Sequence, residues 1–254
     1  MLIINNITFN FGGIIAVNNV SFNIKKGTIT GLIGPNGAGK TTLFNIIAGI
    51  HRPSNGQIIL DRENIIGLKP HQLFNKGLLR TFQVAHEFSS LTVRENLMLV
   101  PGHQIGETLF NTWFYRNRIL SQEKNIYDKA SKVIDFFDLN HLANEPAQNL
   151  SGGQKKLLEL GRTMMVEAKV VLLDEIGAGI NPSMLNKVAE SIKRLNTEHG
   201  YTFCMIEHNI NFISKLCETV IVMSEGKILM QGTPREVKSD QTVIEAYLGK
   251  TLKN

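Results

Sequence analysis

Apolar residues along this chain fall into short runs near both ends and into helical spacing through the middle. Residues 3–9 and 19–24 alternate partially between apolar and polar side chains, which predicts strands with one wetted face. Residues 57–60, followed by Asp61, predict another strand. Residues 28–33 read as a short buried strand, and residues 41–48 as the helix after it. From about 84 to 166 no strand pattern emerges, and Ile126, Ala130, Val133, Ile134 and Phe137 recur at the spacing of an amphipathic helix. Ser151 reads as an N-cap, after which Leu157, Leu158, Leu160 and Gly161 continue a helix to about 167.

Strand–helix alternation then resumes. Residues 170–173, 202–206, 219–223 and 227–231 predict strands, the last after the turn Ser224-Glu225-Gly226. Residues 181–199, with Pro182 in the first turn, and 211–217 predict helices, and 236–248 a short helical tail. No internal repeat, long linker or low-complexity segment interrupts the pattern. It describes an α/β core with a helical insertion.

Bulk properties narrow the picture only slightly. The 254 residues exceed the common size of one compact domain, although α/β chains of this length often keep one core with an inserted subdomain. Runs such as 170–173 and 219–223 stop far short of the roughly 20 apolar residues a membrane helix needs. The amino terminus shows no basic segment followed by an apolar stretch, so no signal peptide is expected and the chain is read as cytoplasmic. Net charge is +5, from 27 basic and 22 acidic residues. The basic residues are scattered among acids without interleaved aromatics, so no nucleic-acid partner is expected. A mild positive excess suits an anionic membrane surface, and a solvated surface equally well. Cys204 and Cys217 follow no metal or redox spacing and read as reduced core thiols.

Two candidate anion sites stand out. Gly34-Pro35-Asn36-Gly37-Ala38-Gly39-Lys40-Thr41 fits G-x-x-x-x-G-K-[ST], in which backbone N–H groups cradle phosphates and the lysine offsets their charge. The predicted strand before it and helix after it are the context this loop requires. Leu150-Ser151-Gly152-Gly153-Gln154 opens a predicted helix, whose first N–H groups have no intrahelical partner. One nucleotide does not need two phosphate cradles from one subunit, so the economical arrangement is a pair of chains with each nucleotide held between them. Val170-Val171-Leu172-Leu173-Asp174-Glu175 adds a carboxylate pair at the end of an apolar strand, where Asp174 suits Mg²⁺ and Glu175 a general base.

Together these motifs resemble the ATP-binding cassette (ABC) family over nearly the whole chain. The resemblance implies a P-loop NTPase (ABC ATPase) α/β core with an inserted helical subdomain and a small antiparallel β subdomain. The core and β subdomain take residues 1–83 and 168–235, the helical subdomain 84–167, and a C-terminal tail 236–254. It implies that Asn36, Gly37, Ala38, Gly39, Lys40, Thr41 and Thr42 hold ATP, with Thr41, Gln83 and Asp174 around Mg²⁺. Ser151, Gly152, Gly153 and Gln154 close on the partner's ATP. His208 matches the family's switch histidine, Gln83 its glutamine loop, and Phe11, with Val17 beside it, the aromatic that stacks on adenine. Glu175, His208 and Gln83 are then the catalytic set. Two departures stand out: Ile176 follows the glutamate where proline is usual, and Asn181 stands where many members have aspartate.

Within the family, several stretches resemble the ATPase subunits of branched-chain (hydrophobic) amino-acid importers, the LivG type. They are Phe11-Gly12-Gly13, Ala16-Val17-Asn18-Asn19-Val20, Arg80-Thr81-Phe82-Gln83, Leu91-Thr92-Val93-Arg94-Glu95-Asn96-Leu97, Gly179-Ile180-Asn181-Pro182 and the ending Val243-Ile244-Glu245-Ala246-Tyr247-Leu248-Gly249. Residues 102–125 sit where this subgroup carries extra chain. Urea and short-amide importers and the lipopolysaccharide-export ATPase share much of this pattern. The resemblance implies a peripheral subunit on the cytoplasmic face of the inner membrane. Its partners would be a second ATPase cassette, integral membrane permeases and, indirectly, a periplasmic or extracellular solute-binding protein. A soluble ABC ATPase acting on ribosomes or DNA is the rival; such proteins generally carry two cassettes or a long coiled-coil insertion, and this chain has neither.

Overall fold

The computed structural model describes residues 1–81, 87–102, 104–107, 113 and 115–248. The chain divides into two compact units: Met1–Gln83, Ala168–Ala178 and Ile192–Asn254 form the first, and Val84–Glu167 with Gly179–Ser191 the second.

The first unit carries two sheets. β1 (Leu2–Phe11), β2 (Ile14–Ile24), β4 (Asn55–Leu60) and β5 (Glu63–Asn64) form an antiparallel sheet in the order β2-β1-β4-β5. Alternation along β1 and β2 buries one face, with Leu2, Ile4, Ile7, Val20, Phe22 and Ile24 inside. The second sheet runs β10-β9-β3-β8-β7-β6. Its strands are β3 (Ile29–Ile33), β6 (Leu78–Arg80), β7 (Val170–Asp174), β8 (Thr202–Ile206), β9 (Thr219–Ser224) and β10 (Lys227–Gly232). All its pairings are parallel except the β9–β10 hairpin. Every residue of β3, β7 and β8 is buried, which is why these strands are continuous apolar runs without alternation.

Because β3, β7 and β8 are parallel, whatever follows each of them emerges at the same carboxyl edge, where open α/β sheets bind ligands. Helix α1 (Lys40–Ile47) follows β3 through the glycine loop. Helix α2 (Pro70–Asn75) precedes β6; neither α2 nor β6 has a sequence pattern of its own. β6 is three residues long and exists because it pairs with β7.

The second unit is mainly helical. It holds α3 (Val93–Met98), α4 (Arg116–Phe136), α5 (Gly152–Met164) and the first half of α6 (Pro182–His199). A Cβ on Gly161 would lie 3.0 Å from Val133 and 3.3 Å from Leu97, so glycine lets α5 pack closely on α4 and α3. Asn96 is fully buried, donating to the carbonyls of Phe88, Leu91 and Thr92 and accepting from the Phe88 N–H. It therefore holds the turn before α3 without an unpaired polar atom.

The first unit ends with α7 (Ile210–Leu216), α8 (Pro234–Ser239) and α9 (Gln241–Tyr247). The expected single helical tail is thus two helices. Asp240 breaks them apart, ending α8 and capping α9 by accepting from the Thr242 and Val243 N–H groups.

Candidate functional site

The loop from Gly34 to Gly39 needs glycine where the backbone turns left or neighbours crowd. A Cβ on Gly34 would sit 2.1 Å from the Met223 carbonyl oxygen, and one on Gly39 only 2.4 Å from that of Ala16. Gly37 and Gly39 have φ of 80° and 95°. The Glu225–Gly226 hairpin turn braces the loop from the other side: Gly226 N–H donates to Ala38 O, and Gly226 O accepts from Asn18 N–H. The loop is thereby fixed by backbone contacts from β2, β9 and β10.

Asn36, Gly37, Ala38, Gly39, Lys40, Thr41 and Thr42 line one cavity of about 250 Å³, together with Ala16, Glu175 and His208. Lys40 is buried and donates to the Gly34 and Pro35 carbonyls at 2.8 and 3.0 Å. Burial lowers its ammonium pKa from the ordinary lysine range, and the negative charges of Glu175 and Asp174 partly oppose that shift.

Glu175 follows β7 with φ 49°, a left-handed conformation uncommon for a residue with a side chain. Its N–H donates to Ile206 O, and its Oε1 lies 2.9 Å from His208 Nε2. Next to it, Asp174 is 3 % exposed and paired with Arg80, Nη2 to Oδ2 at 2.7 Å; Arg80 also reaches Asn45. Glu207, at the end of β8, is buried and accepts from the Gly177 N–H at 2.8 Å. Burial raises its carboxyl pKa, Glu175 pushes the same way, and the Gly177 and His208 amides pull back. The C-terminal helix reaches this region too, since Tyr247 lines a neighbouring cavity together with Ile33 and His208.

Not every expected nucleotide contact lines this cavity. Val17 is wholly buried in the core, and its neighbour Ala16 takes the lining position, because the inward face of β2 places Val17 under the sheet. Phe11 is half exposed at the end of β1, packed edge-on against Phe9 and His51 at ring distances of 4.8 and 5.6 Å. Gln83 lies outside the described residues. In the second unit, Ser151 caps α5: its Oγ accepts from Gln154 N–H at 3.4 Å, and Gln154 Oε1 accepts from Ser151 N–H at 2.8 Å. Gly153 is required by packing, since a Cβ there would meet Met184 Cγ at 1.9 Å, whereas Gly152 has room.

Arg80, Ala16, Gly226 and Glu207 are not among the expected site residues. Arg80 had a weak signal, a charge closing the apolar pair Leu78-Leu79. Ala16 and Gly226 act through backbone placement and left none, whereas Glu207 stands beside His208 at the end of an apolar run.

A glycine loop between a buried parallel strand and a helix, facing a carboxylate at the end of a second parallel strand, defines a P-loop nucleotide-binding protein. The ABC transporter family profile matches residues 17–178. This chain belongs to that family. A second profile, for the branched-chain amino acid ATP-binding cassette transporter, matches residues 227–252. Among curated relatives, the chain is 37 % identical over 239 residues to the probable branched-chain amino acid transport ATP-binding protein LivG of Archaeoglobus fulgidus, covering 94 % of this chain and 91 % of the relative. It is 34 % identical over 250 residues to the high-affinity branched-chain amino acid transport ATP-binding protein LivG of Escherichia coli K12, covering 98 % of each. A solved ATP-binding cassette of an ABC transporter in its ADP conformation superposes with a TM-score of 0.84 at 34 % identity, over 98 % of both chains. A nucleotide-free cassette superposes at 0.83, also at 34 % identity, over 97 % of this chain and 98 % of that one.

Proposed function

We propose that this chain is the ATP-hydrolysing subunit of a membrane importer for branched-chain amino acids. The observation that carries the chemistry is the single cavity in which the P-loop residues Lys40 and Thr41 meet Glu175 and His208. The solute assignment rests on the full-length likeness to LivG proteins and on the C-terminal match at 227–252.

In this reading the P-loop amides and Lys40 bind the β- and γ-phosphates of ATP, and Glu175 accepts a proton from the attacking water. His208 holds the Glu175 carboxylate and orients it toward that water. The donor set suits Mg²⁺ held through phosphates, with the Thr41 hydroxyl and the Asp174 carboxylate as protein donors. Mg²⁺, when bound, would neutralise charge on the phosphate oxygens. Among the described residues no group of three His, Cys, Asp or Glu side chains is placed to hold a metal ion. Asp174 would have to share its charge between the ion and Arg80.

We further propose that two cassettes close face to face, with Ser151, Gly152 and Gly153 of one completing the nucleotide site of the other. Closure is then transmitted to membrane-spanning partners, which places the chain at the cytoplasmic surface of the membrane. ATP favours the closed pair and hydrolysis releases it, a two-state cycle driven by differential affinity. Among the described residues no helix is long and apolar enough to cross a membrane, and this reading assigns the transport path to partner chains.

The test is uptake of labelled leucine by cells lacking this chain. Uptake should return with the parent protein but not with Lys40→Ala. Normal leucine uptake in its absence, or loss of urea uptake instead, would reject the solute assignment. Mixing a Lys40→Ala copy with a Ser151→Ala copy tests the shared site: recovery of ATPase activity supports it, and none at all rejects it.

A further inference from the structure

The turn that carries Glu175 is gripped by three successive residues at the end of β8. Ile206 O accepts from the Glu175 N–H at 3.0 Å, the Glu207 side chain accepts from the Gly177 N–H at 2.8 Å, and His208 Nε2 meets Glu175 Oε1 at 2.9 Å. The first and last contacts reach the residue that does the chemistry. The middle one reaches past it, to the backbone two residues on.

This grip is needed because the turn is held against its local preference. Glu175 sits at φ 49°, which costs a residue with a side chain roughly 1–2 kcal/mol relative to the right-handed region. Isoleucine at 176 leaves its own φ free to rotate, whereas a proline would have fixed it. Two things restrain the backbone beyond Glu175. Ile176 is completely buried, and the Gly177 N–H is tied to the carboxyl of Glu207, a residue only 5 % exposed. A buried acceptor cannot be replaced by water at low cost, so the contact is more restraining than a surface bond of the same length.

We propose that Glu207 is a positioning residue for ATP hydrolysis: by holding the Gly177 amide it sets the backbone on which the Glu175 carboxylate is aimed. The claim rests on Glu175 acting as the base, and it adds a residue that no nucleotide motif contains. Glu207 does not line the P-loop cavity and need not touch nucleotide. It acts through the turn alone. Its loss should therefore lower kcat while leaving KM for ATP unchanged, because displacement of a reacting group by about 1 Å can cost as much as 100-fold without weakening binding.

The experiment compares steady-state phosphate release by the full-length parent, Glu175→Gln, Glu207→Leu and Glu207→Gln. Leucine matches glutamate in bulk but cannot accept the Gly177 N–H; glutamine can, through its carbonyl oxygen. The expected result is a fall of about tenfold or more in kcat for Glu207→Leu at parental KM, with Glu207→Gln within about threefold of the parent. Parental kcat in Glu207→Leu, or equal impairment of both variants, overturns the proposal. Amide exchange at Gly177 supplies a second measurement that survives a misfolded leucine variant. Protection in the parent and in Glu207→Gln supports the grip, and exchange at the rate of an open loop in the parent overturns it. If the parent shows no phosphate release that depends on Glu175, the reading of the base fails instead, and the Gly177 exchange still judges the grip.

Discussion

Helices α1 and α5 both begin at glycine-rich turns, yet they treat their first N–H groups in opposite ways. At α1 the N-cap is Gly39, in the left-handed region, with no side-chain cap, and Lys40 is the first helical residue. At α5 the N-cap is Ser151, and the Ser151–Gln154 capping box satisfies the helix start from within the chain. The first arrangement offers backbone donors and a positive charge directly to an anion. The second must trade an existing contact for a new one, although its 3.4 Å length makes Ser151 Oγ inexpensive to recruit. On the proposed reading, the difference suits α1 to continuous grip on a nucleotide and α5 to a contact made only when two cassettes close.

The largest effect that bears on this contrast concerns neither helix. If α1 only binds and the chemistry lies at the end of β7, Glu175→Gln should lower kcat by about 10²–10⁴-fold while nucleotide binding persists. Phosphate release and nucleotide titration measure the two separately, and size-exclusion chromatography with MgATP should show a trapped dimer. A variant that stays monomeric and turns over at the parental rate would remove Glu175 from the role of base.

Next comes a paired glycine test. Gly39→Ala forces a Cβ to within 2.4 Å of the Ala16 carbonyl and should abolish nucleotide binding, because backbone cannot yield as a side-chain tip can. Gly152→Ala meets nothing closer than 3.8 Å and should leave single-chain binding intact. Equal tolerance of both would mean that the P-loop does not depend on the packing described here.

Lys40→Met separates binding from folding. Since burial depresses the Lys40 pKa below its unfolded value, the folded protein carries a cost for its charge at neutral pH. That cost is relieved as pH rises through the depressed pKa toward the ordinary lysine range. Removing the charge should leave Tm at pH 7 no lower than the parent, and the parent should gain on the variant as pH increases. The thermal stabilisation that nucleotide gives the parent, about 2.7 kcal/mol at a hundredfold excess over Kd, should disappear. A variant melting well below the parent at pH 7 would identify Lys40 as a clamp on its own loop.

The smallest effect is at α5. Ser151→Ala should cost about 0.5 kcal/mol, the low end for a lost cap, roughly 1–2 °C in Tm for a chain of this size, while Thr41→Ala should not. Calorimetry showing the reverse order would invert the contrast between the two helix starts.

Much of the core was legible along the chain. Unbroken burial on both faces makes β3, β7 and β8 apolar runs, and their lengths and flanks identified them. The P-loop and Ser151 N-cap were legible because each is a local solution to the orphan N–H groups of a helix start. No periodicity announced β6, α2 or α3, although Pro70 at the start of α2 and the Thr92–Glu95 capping box of α3 are local helix-start signals. β6 is strand only because β7 lies beside it, and α2 and α3 are single short stretches of six residues each, too brief for a period to show.

The sequence by itself determined which residues carry charge and hydroxyls, and which turns only glycine can make, because those properties belong to one residue and its immediate neighbours. Tertiary structure alone decided that Arg80 pairs with Asp174, that His208 reaches Glu175 and that Glu207 holds Gly177. These partners lie about 30 to 90 residues apart in the chain and meet only because parallel strands bring their carboxyl ends to one edge. No periodicity records such a meeting, since a parallel pairing is closed by a crossover whose length the local pattern does not encode.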